Sequence, residues 1–99
     1  MSVDRAGGAL HITLSGELDH HAAKEIIKKM DSVTTAPLPA VCSLDMGGVG
    51  FMDSSGIAVV LGLYRRLSET DSRIVVKNVQ PQAMRVFNAA GVDRLLTFE

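Results

Sequence analysis

The chain has 99 residues, a net charge of −1, 46% hydrophobic residues, one cysteine, one Tyr and three Phe. These values predict one globular domain over residues 1–99 and exclude a disordered chain. The near-neutral charge argues against nucleic acid as a partner. Cys42 alone cannot form an internal disulfide, and no apolar run has the length of a signal peptide or a membrane helix. We therefore expect a cytoplasmic protein with no membrane partner.

Alternating apolar residues predict a hairpin at the start of the chain. Residues 3–6 suit a short edge strand, and Gly7-Gly8 suits a tight turn. Residues 9–16 form a second strand, since side chains two residues apart point the same way. Its apolar face consists of Leu10, Ile12 and Leu14. We expect Gly16 to end this strand.

Apolar residues then recur at helical spacing. Asp19 is placed to cap this first helix. The predicted inner face consists of Ala22, Ala23, Ile26, Ile27, Met30 and Val33. Residues 34–39 are expected to form a loop, and residues 40–46 a strand that buries Cys42 as an inert thiol. The glycine-rich residues 47–51 are expected to be a connection.

The second half of the chain continues the alternation of helix and strand. A second helix is expected from Ser55 to Thr70, with an apolar stripe of Ile57, Val60, Leu61, Tyr64 and Leu67. Residues 72–79 predict a strand. Pro81 opens a third helix that Gly91 ends. Its predicted inner face consists of Val86, Phe87 and Ala90.

A short strand within residues 95–98 completes the order β-β-α-β-α-β-α-β. Strands that alternate with helices predict an α/β fold with a mainly parallel sheet and right-handed crossovers. The hairpin at the start makes the expected sheet mixed.

Two serines follow an acidic residue where the second helix begins, in the segment FMDSSG. Asp53 or Ser54 could cap the helix. A nucleophilic serine would need a histidine base and an acid, for which Asp19, His20 and His21 are the plausible supply. The segment lacks the G-x-S-x-G elbow, so we expect no catalytic residue. As a third interpretation, a phosphoryl group on Ser54 would add about −1.5 to −2 charges beside Asp53 and oppose a partner packed there.

Two segments resemble the signature segments of the anti-sigma factor antagonists, small members of the STAS family: GELDHH at residues 16–21 and FMDSSGIAVVLGLYRR at residues 51–66. The similarity continues through residues 73–98 and so covers nearly the whole chain. It implies a STAS-type fold and a role in partner switching. In that family the unphosphorylated antagonist binds an anti-sigma factor, which is a serine kinase, and so frees the sigma factor. Phosphorylation with ATP releases the antagonist, and a serine phosphatase restores it.

The resemblance also implies which residues carry the function. Ser54 would be the phosphoacceptor, and GELDHH would supply the other part of the partner-facing surface. The residues expected to bind the partner are Asp19, His20, His21, Asp53, Ser54, Ser55, Gly56, Val59, Gly62 and Leu63. For the two histidines a solvated surface is the alternative, and two adjacent histidines alone make a weak metal site. We expect no metal and no cofactor.

The second helix has more apolar residues than one stripe needs. Val59, Gly62 and Leu63 could extend an apolar contact patch, with Gly62 admitting another backbone. Alternatively, the helix is covered on two sides within its own domain. The resemblance further implies a C-terminal helix beyond residue 99, which this sequence lacks. The glycine-rich residues 44–53 are expected to loosen the acceptor corner.

The expected function is therefore an anti-sigma factor antagonist of the sporulation type, monomeric and not an enzyme. A rival is a stress-response or scaffold STAS module that binds a larger regulatory complex or a ligand. The size of the partner separates these two hypotheses. A third is a nucleotide-binding protein, although the chain lacks the G-x-x-x-x-G-K-[ST] loop that cradles phosphates.

Overall fold

A five-stranded sheet and three helices make up the computed structural model, which describes residues 1–34 and 37–99. In chain order its elements are β1 (Ser2–Ala6), β2 (Ala9–Leu18), α1 (His20–Val33), β3 (Val41–Met52), α2 (Ser54–Glu69), β4 (Arg73–Lys77), α3 (Pro81–Ala90), a 3-10 turn (Val92–Arg94) and β5 (Thr97–Phe98). The predicted α/β fold is confirmed. The predicted loop over residues 34–39 lies in part outside the described residues, at positions 35 and 36.

The strands lie side by side in the order in which they occur along the chain. β1 and β2 form an antiparallel hairpin across Gly7 and Gly8, which have φ angles of 60° and 73°. The other neighbours are parallel. Connections between parallel strands are right-handed in nearly all proteins, and because these three all step in one direction, the rule places the three helices on one face of the sheet. The sheet is therefore mixed, as predicted.

The core fills the space between the sheet and its helices. Its largest fully buried side chains include Leu10, Ile12, Leu14, Leu44, Met46, Leu67 and Phe87. Cys42 is buried too, and burial raises the pKa of its thiol to about 11, so the thiol is protonated near neutral pH. Within the described residues, no helix is both long and apolar enough to cross a membrane.

The inner faces of two helices differ from their predictions. Ile27 of α1 is 40% exposed, because it lies on the side of the helix that faces α2 rather than the sheet. In α3 the buried residues are Ala83 and Phe87, whereas Ala90 is exposed. The prediction for Ala90 was wrong because α3 ends there, at Gly91, whose left-handed φ of 73° stops the helix.

β2 and β3 extend well beyond β4, which changes the interpretation of the glycines. Gly16 does not end β2, and residues 47–51 are not a connection, since the two strands stay paired as far as Leu18 and Met52. The pairing register shifts twice along this stretch, and Gly16 has a φ of 86°. A Cβ on Gly48 would lie 2.9 Å from Ser15 Cβ. The glycines thus permit close, irregular strand pairing, and the prediction of a connection over residues 47–51 is wrong.

Two glycines of α2 allow a matched test of this packing. A Cβ on Gly56 would lie 2.3 Å from Met52 Cγ, whereas one on Gly62 would meet nothing within 4 Å. We expect Gly56→Ala to lower the free energy of unfolding by about 1–3 kcal/mol through overpacking. Gly62→Ala should raise it by about 0.5–1 kcal/mol through helix propensity. Urea unfolding of both variants measures the difference, and equal effects would contradict the packing.

Candidate functional site

Two helices begin side by side at one end of the sheet. Leu18 and Met52 are paired across β2 and β3, and in each strand the next residue is an aspartate. Asp19 Oδ1 accepts a hydrogen bond from Ala22 N at 2.9 Å, and Asp53 Oδ1 accepts one from Ser55 N at 2.8 Å. Since paired strands lie about 4.8 Å apart, both helices start at one corner of the molecule. We call Asp19, His20, Asp53 and Ser54 the capped corner.

The two aspartates balance the positive ends of two helix dipoles. A helix N-terminus presents free N–H groups and a partial positive charge, which favour a nearby anion. Each aspartate satisfies one of those N–H groups as an N-cap. The predicted cap of α1 is confirmed, and of the two candidate caps for α2 the structure selects Asp53.

Ser54 is the first residue of α2, and its side chain is exposed. Ser55 is half-buried, and Gly56 is fully inside. Of the two serines, Ser54 is therefore the more exposed. Ser54 directly follows the Asp53 cap in the chain and stands at the positive end of α2.

The residues on either side of Ser54 in the chain are held in place by packing and by hydrogen bonds. Met52 is 0% exposed, and its side chain lies over Gly56, where a Cβ would be 2.6 Å from the sulfur atom. Asp53 N donates to Leu18 O at 3.3 Å, which fixes the residue between strand and helix to the neighbouring strand. The backbone on both sides of Asp53 is therefore held by packing and by hydrogen bonds.

The two predicted histidines lie at the same end of the sheet as Ser54. His20 and His21 are the first two residues of α1, and both side chains are exposed. The described part of the chain contains no group of three His, Cys, Asp or Glu residues that could hold a metal ion. A histidine does meet a serine elsewhere: His11 Nδ1 lies 2.6 Å from Ser43 Oγ, near the start of β3. That pair is at the opposite end of the strand from Ser54.

Comparison with known proteins identifies the family and the fold. The family model described as "Mlab, STAS domain" matches residues 1–97. The chain belongs to the STAS domain family. The resemblance seen in the two signature segments is confirmed.

Among the curated proteins that it resembles is the anti-sigma F factor antagonist of Paenibacillus polymyxa. The two are 32% identical over 89 residues, which are 90% of this chain and 76% of that protein. The structure matches that of the anti-sigma factor antagonist SpoIIAA in its unphosphorylated form, with a TM-score of 0.83 and 28% identity over 99% of this chain and 86% of that one. It also matches the Bacillus cell fate determinant SpoIIAA in the phosphorylated form, with a TM-score of 0.75 and 28% identity over 99% and 89% of the two chains.

The predicted apolar patch of α2 is largely inside this STAS domain. Val59 and Leu63 are each 1% exposed, so the expectation of an exposed patch is wrong for these two side chains. They face α1, and this burial agrees with the alternative that α2 is covered on two sides. A shallow groove remains between the helices, lined by Ile27, Met30, Asp31, Ala58, Val59, Gly62, Leu63 and Arg66. Gly62 borders this groove and open space, so packing within the chain does not require a glycine there.

An exposed aromatic beside the capped corner was not predicted as a site residue. Phe51 is 43% exposed, although it lies in β3 and directly precedes the buried Met52. Glu17 of β2 is its paired neighbour. The signal available in the sequence was an aromatic three residues before Ser54 in a chain with only three Phe and one Tyr. Strand alternation, once β3 is known to continue, turns Phe51 outward.

The cap of α2 can be tested by two substitutions at one position. Asp53→Ala removes the oxygen that accepts from Ser55 N, and we expect a loss of about 1 kcal/mol in the free energy of unfolding. Asp53→Asn keeps an acceptor of the same shape and should retain most of that stability. Urea unfolding at neutral pH measures both variants. Equal losses for Asn and Ala would argue that the charge of Asp53, and not its cap, stabilises α2.

Proposed function

We propose that this protein is an anti-sigma factor antagonist that a serine kinase switches off by phosphorylating Ser54. The observation that carries the proposal is the exposure of Ser54 at the start of α2, beside the Asp53 cap. The relatives of the chain support this proposal. The P. polymyxa protein is an anti-sigma F factor antagonist, and the fold matches SpoIIAA in its unphosphorylated and phosphorylated forms. In its unphosphorylated form the protein binds the anti-sigma factor and frees a sigma factor of the F type.

Phosphorylation then acts through charge at the capped corner. The Ser54 hydroxyl oxygen forms a bond to the γ-phosphorus of ATP while the bond to ADP breaks, and the hydroxyl proton passes to a base on the kinase. The new group carries about −1.5 to −2 charges next to the Asp53 carboxylate. A partner packed on the corner excludes water, which strengthens this repulsion and adds a desolvation cost. The phosphorylated protein therefore releases its partner, and a serine phosphatase restores binding.

The partner-facing surface combines the capped corner with its neighbours. Asp19, His20 and His21 contribute from α1, and Phe51 contributes an aromatic side chain from β3. Aromatic residues are enriched among those that carry most of the binding energy of an interface. In this mechanism the protein is the substrate of a kinase rather than an enzyme. It works in the cytoplasm, where sigma factors meet RNA polymerase.

The phosphoacceptor can be tested with its neighbour as a control. We expect Ser54→Ala to bind the anti-sigma factor as wild type does but to gain no phosphate and to resist release by ATP. Ser55→Ala should gain one phosphate, because its acceptor is unchanged. Ser54→Asp should bind about tenfold more weakly, since it places a permanent charge beside Asp53.

Intact-mass spectrometry with site mapping measures phosphate, and release from the immobilised anti-sigma factor measures binding. Undiminished ATP-driven release of Ser54→Ala would refute the proposal.

Phe51 offers a separate test of the binding surface. We expect Phe51→Ala to weaken binding of the anti-sigma factor by about 10- to 100-fold, as truncation of a central aromatic contact does. Its effect on stability should be small, because the side chain is already exposed. Leu95→Ala is the matched control, since Leu95 is 53% exposed and lies two residues before β5, near Arg73 at the start of β4 and so at the other end of the sheet. Titration calorimetry compares the two, and equal affinities would remove Phe51 from the interface.

A further inference from the structure

β3 runs past the end of β4 near the capped corner. Along that stretch a side chain, and not a neighbouring strand, makes hydrogen bonds to the edge of β3. The pairing of β3 with β4 ends at Asp45 and Lys77, although β3 continues to Met52. Along this last part β2 still pairs with one edge of β3. The backbone groups on the other edge need partners from elsewhere, because buried N–H and C=O groups are nearly always hydrogen-bonded.

Gln82 of α3 supplies those partners at Met52. Met52 N donates to Gln82 Oε1 at 2.8 Å, and Gln82 Nε2 donates to Met52 O at 2.9 Å. A side-chain amide has the same donor and acceptor as a backbone amide, so Gln82 takes the place of one residue of a neighbouring strand. Both bonds are partly buried, and they join residues 30 positions apart in the chain.

The position of Ser54 depends on Met52. It directly precedes Asp53, whose carboxylate caps α2, and Ser54, which begins that helix. Its side chain is locked against Gly56, and its strand partner is Leu18. Gln82 adds the third restraint and is the one that comes from α3.

We propose that Gln82 is a positioning residue for phosphorylation, holding Met52 so that Ser54 is presented to the kinase in a fixed geometry. The inference rests on the proposed function in one respect, namely that Ser54 is the phosphoacceptor. Gln82 acts through Met52 and Asp53 and does not touch the transferred phosphate. Because α3 carries this glutamine, the position of α3 is linked to the presentation of Ser54.

The neighbouring glutamine provides a control. Gln80 Nε2 donates one exposed hydrogen bond of 2.7 Å to Gly47 O, five residues before Met52. Gln82→Met keeps the length of the side chain and removes both hydrogen bonds. Gln82→Glu keeps an acceptor for Met52 N but loses the donor to Met52 O. Gln80→Met removes a bond on the same edge without reaching the corner.

The first measurement is amide hydrogen exchange of the purified chain, which needs no partner. Under conditions where thermal unfolding shows each variant to be folded, Gln82→Met should raise exchange at the Met52 amide and at residues 53–55 by about tenfold or more. Gln82→Glu should give an intermediate increase, and Gln80→Met should leave these amides within about twofold of wild type. Exchange at Met52 in Gln82→Met equal to that of wild type would overturn the inference.

The second measurement is phosphorylation kinetics with ATP and the anti-sigma factor that the wild-type chain captures from its source cells. We expect Gln82→Met to lower kcat about tenfold with KM within about twofold, since the docking surface is intact while the hydroxyl is misplaced. Gln82→Glu should lose less activity than Gln82→Met, and Gln80→Met should keep the kcat of wild type. An increase in KM with unchanged kcat would make Gln82 a partner contact and overturn the inference. If wild type gains no phosphate on Ser54, the proposed function fails, and hydrogen exchange alone decides whether Gln82 holds the corner.

Discussion

The pairing of Leu18 with Met52 is the constraint from which the rest of the site follows. β2 and β3 stay paired beyond the end of β4, and they end in register. Because each strand is followed at once by an aspartate and a helix, two helix N-termini are brought to one corner. If either strand slipped by one residue, its last core residue, Leu18 or Met52, would turn out of the core, and the two caps would move out of line.

Restraints on Met52 come from three separate elements. β2 pairs with its backbone, α2 leaves room for its side chain at Gly56, and α3 bonds its N–H and C=O through Gln82. A corner held in this way has little freedom to move away from a new charge. Rigid presentation suits a phosphoacceptor, because a kinase must align the hydroxyl with the phosphorus that it attacks.

The strength of a phosphate switch at this corner depends on whether a partner covers it. Two unit charges 4 Å apart interact by only about 1 kcal/mol in water, but by about 4 kcal/mol where the effective dielectric constant is near 20. A phosphate on Ser54 would therefore cost the free protein little, since the helix dipole would offset part of the repulsion. In a complex that excludes water, the same charges oppose binding several times more strongly. The proposed switch thus acts on the complex and leaves the fold unchanged.

Local sequence patterns determined the fold class of this protein and the places where its helices begin. Alternating Leu10, Ile12 and Leu14, the cap at Asp19 and the segments GELDHH and FMDSSG were enough to predict the fold class and, to within a residue, the helix starts. Their chemistry is local, since caps and strand faces depend on residues a few positions apart. The glycine-rich run was misread, because glycine favours turns in general and only pairing with β2 keeps this run extended. Only the tertiary structure decided that Val59 and Leu63 are covered, that Phe51 is exposed and that Gln82 bonds Met52, since each depends on elements distant in the chain.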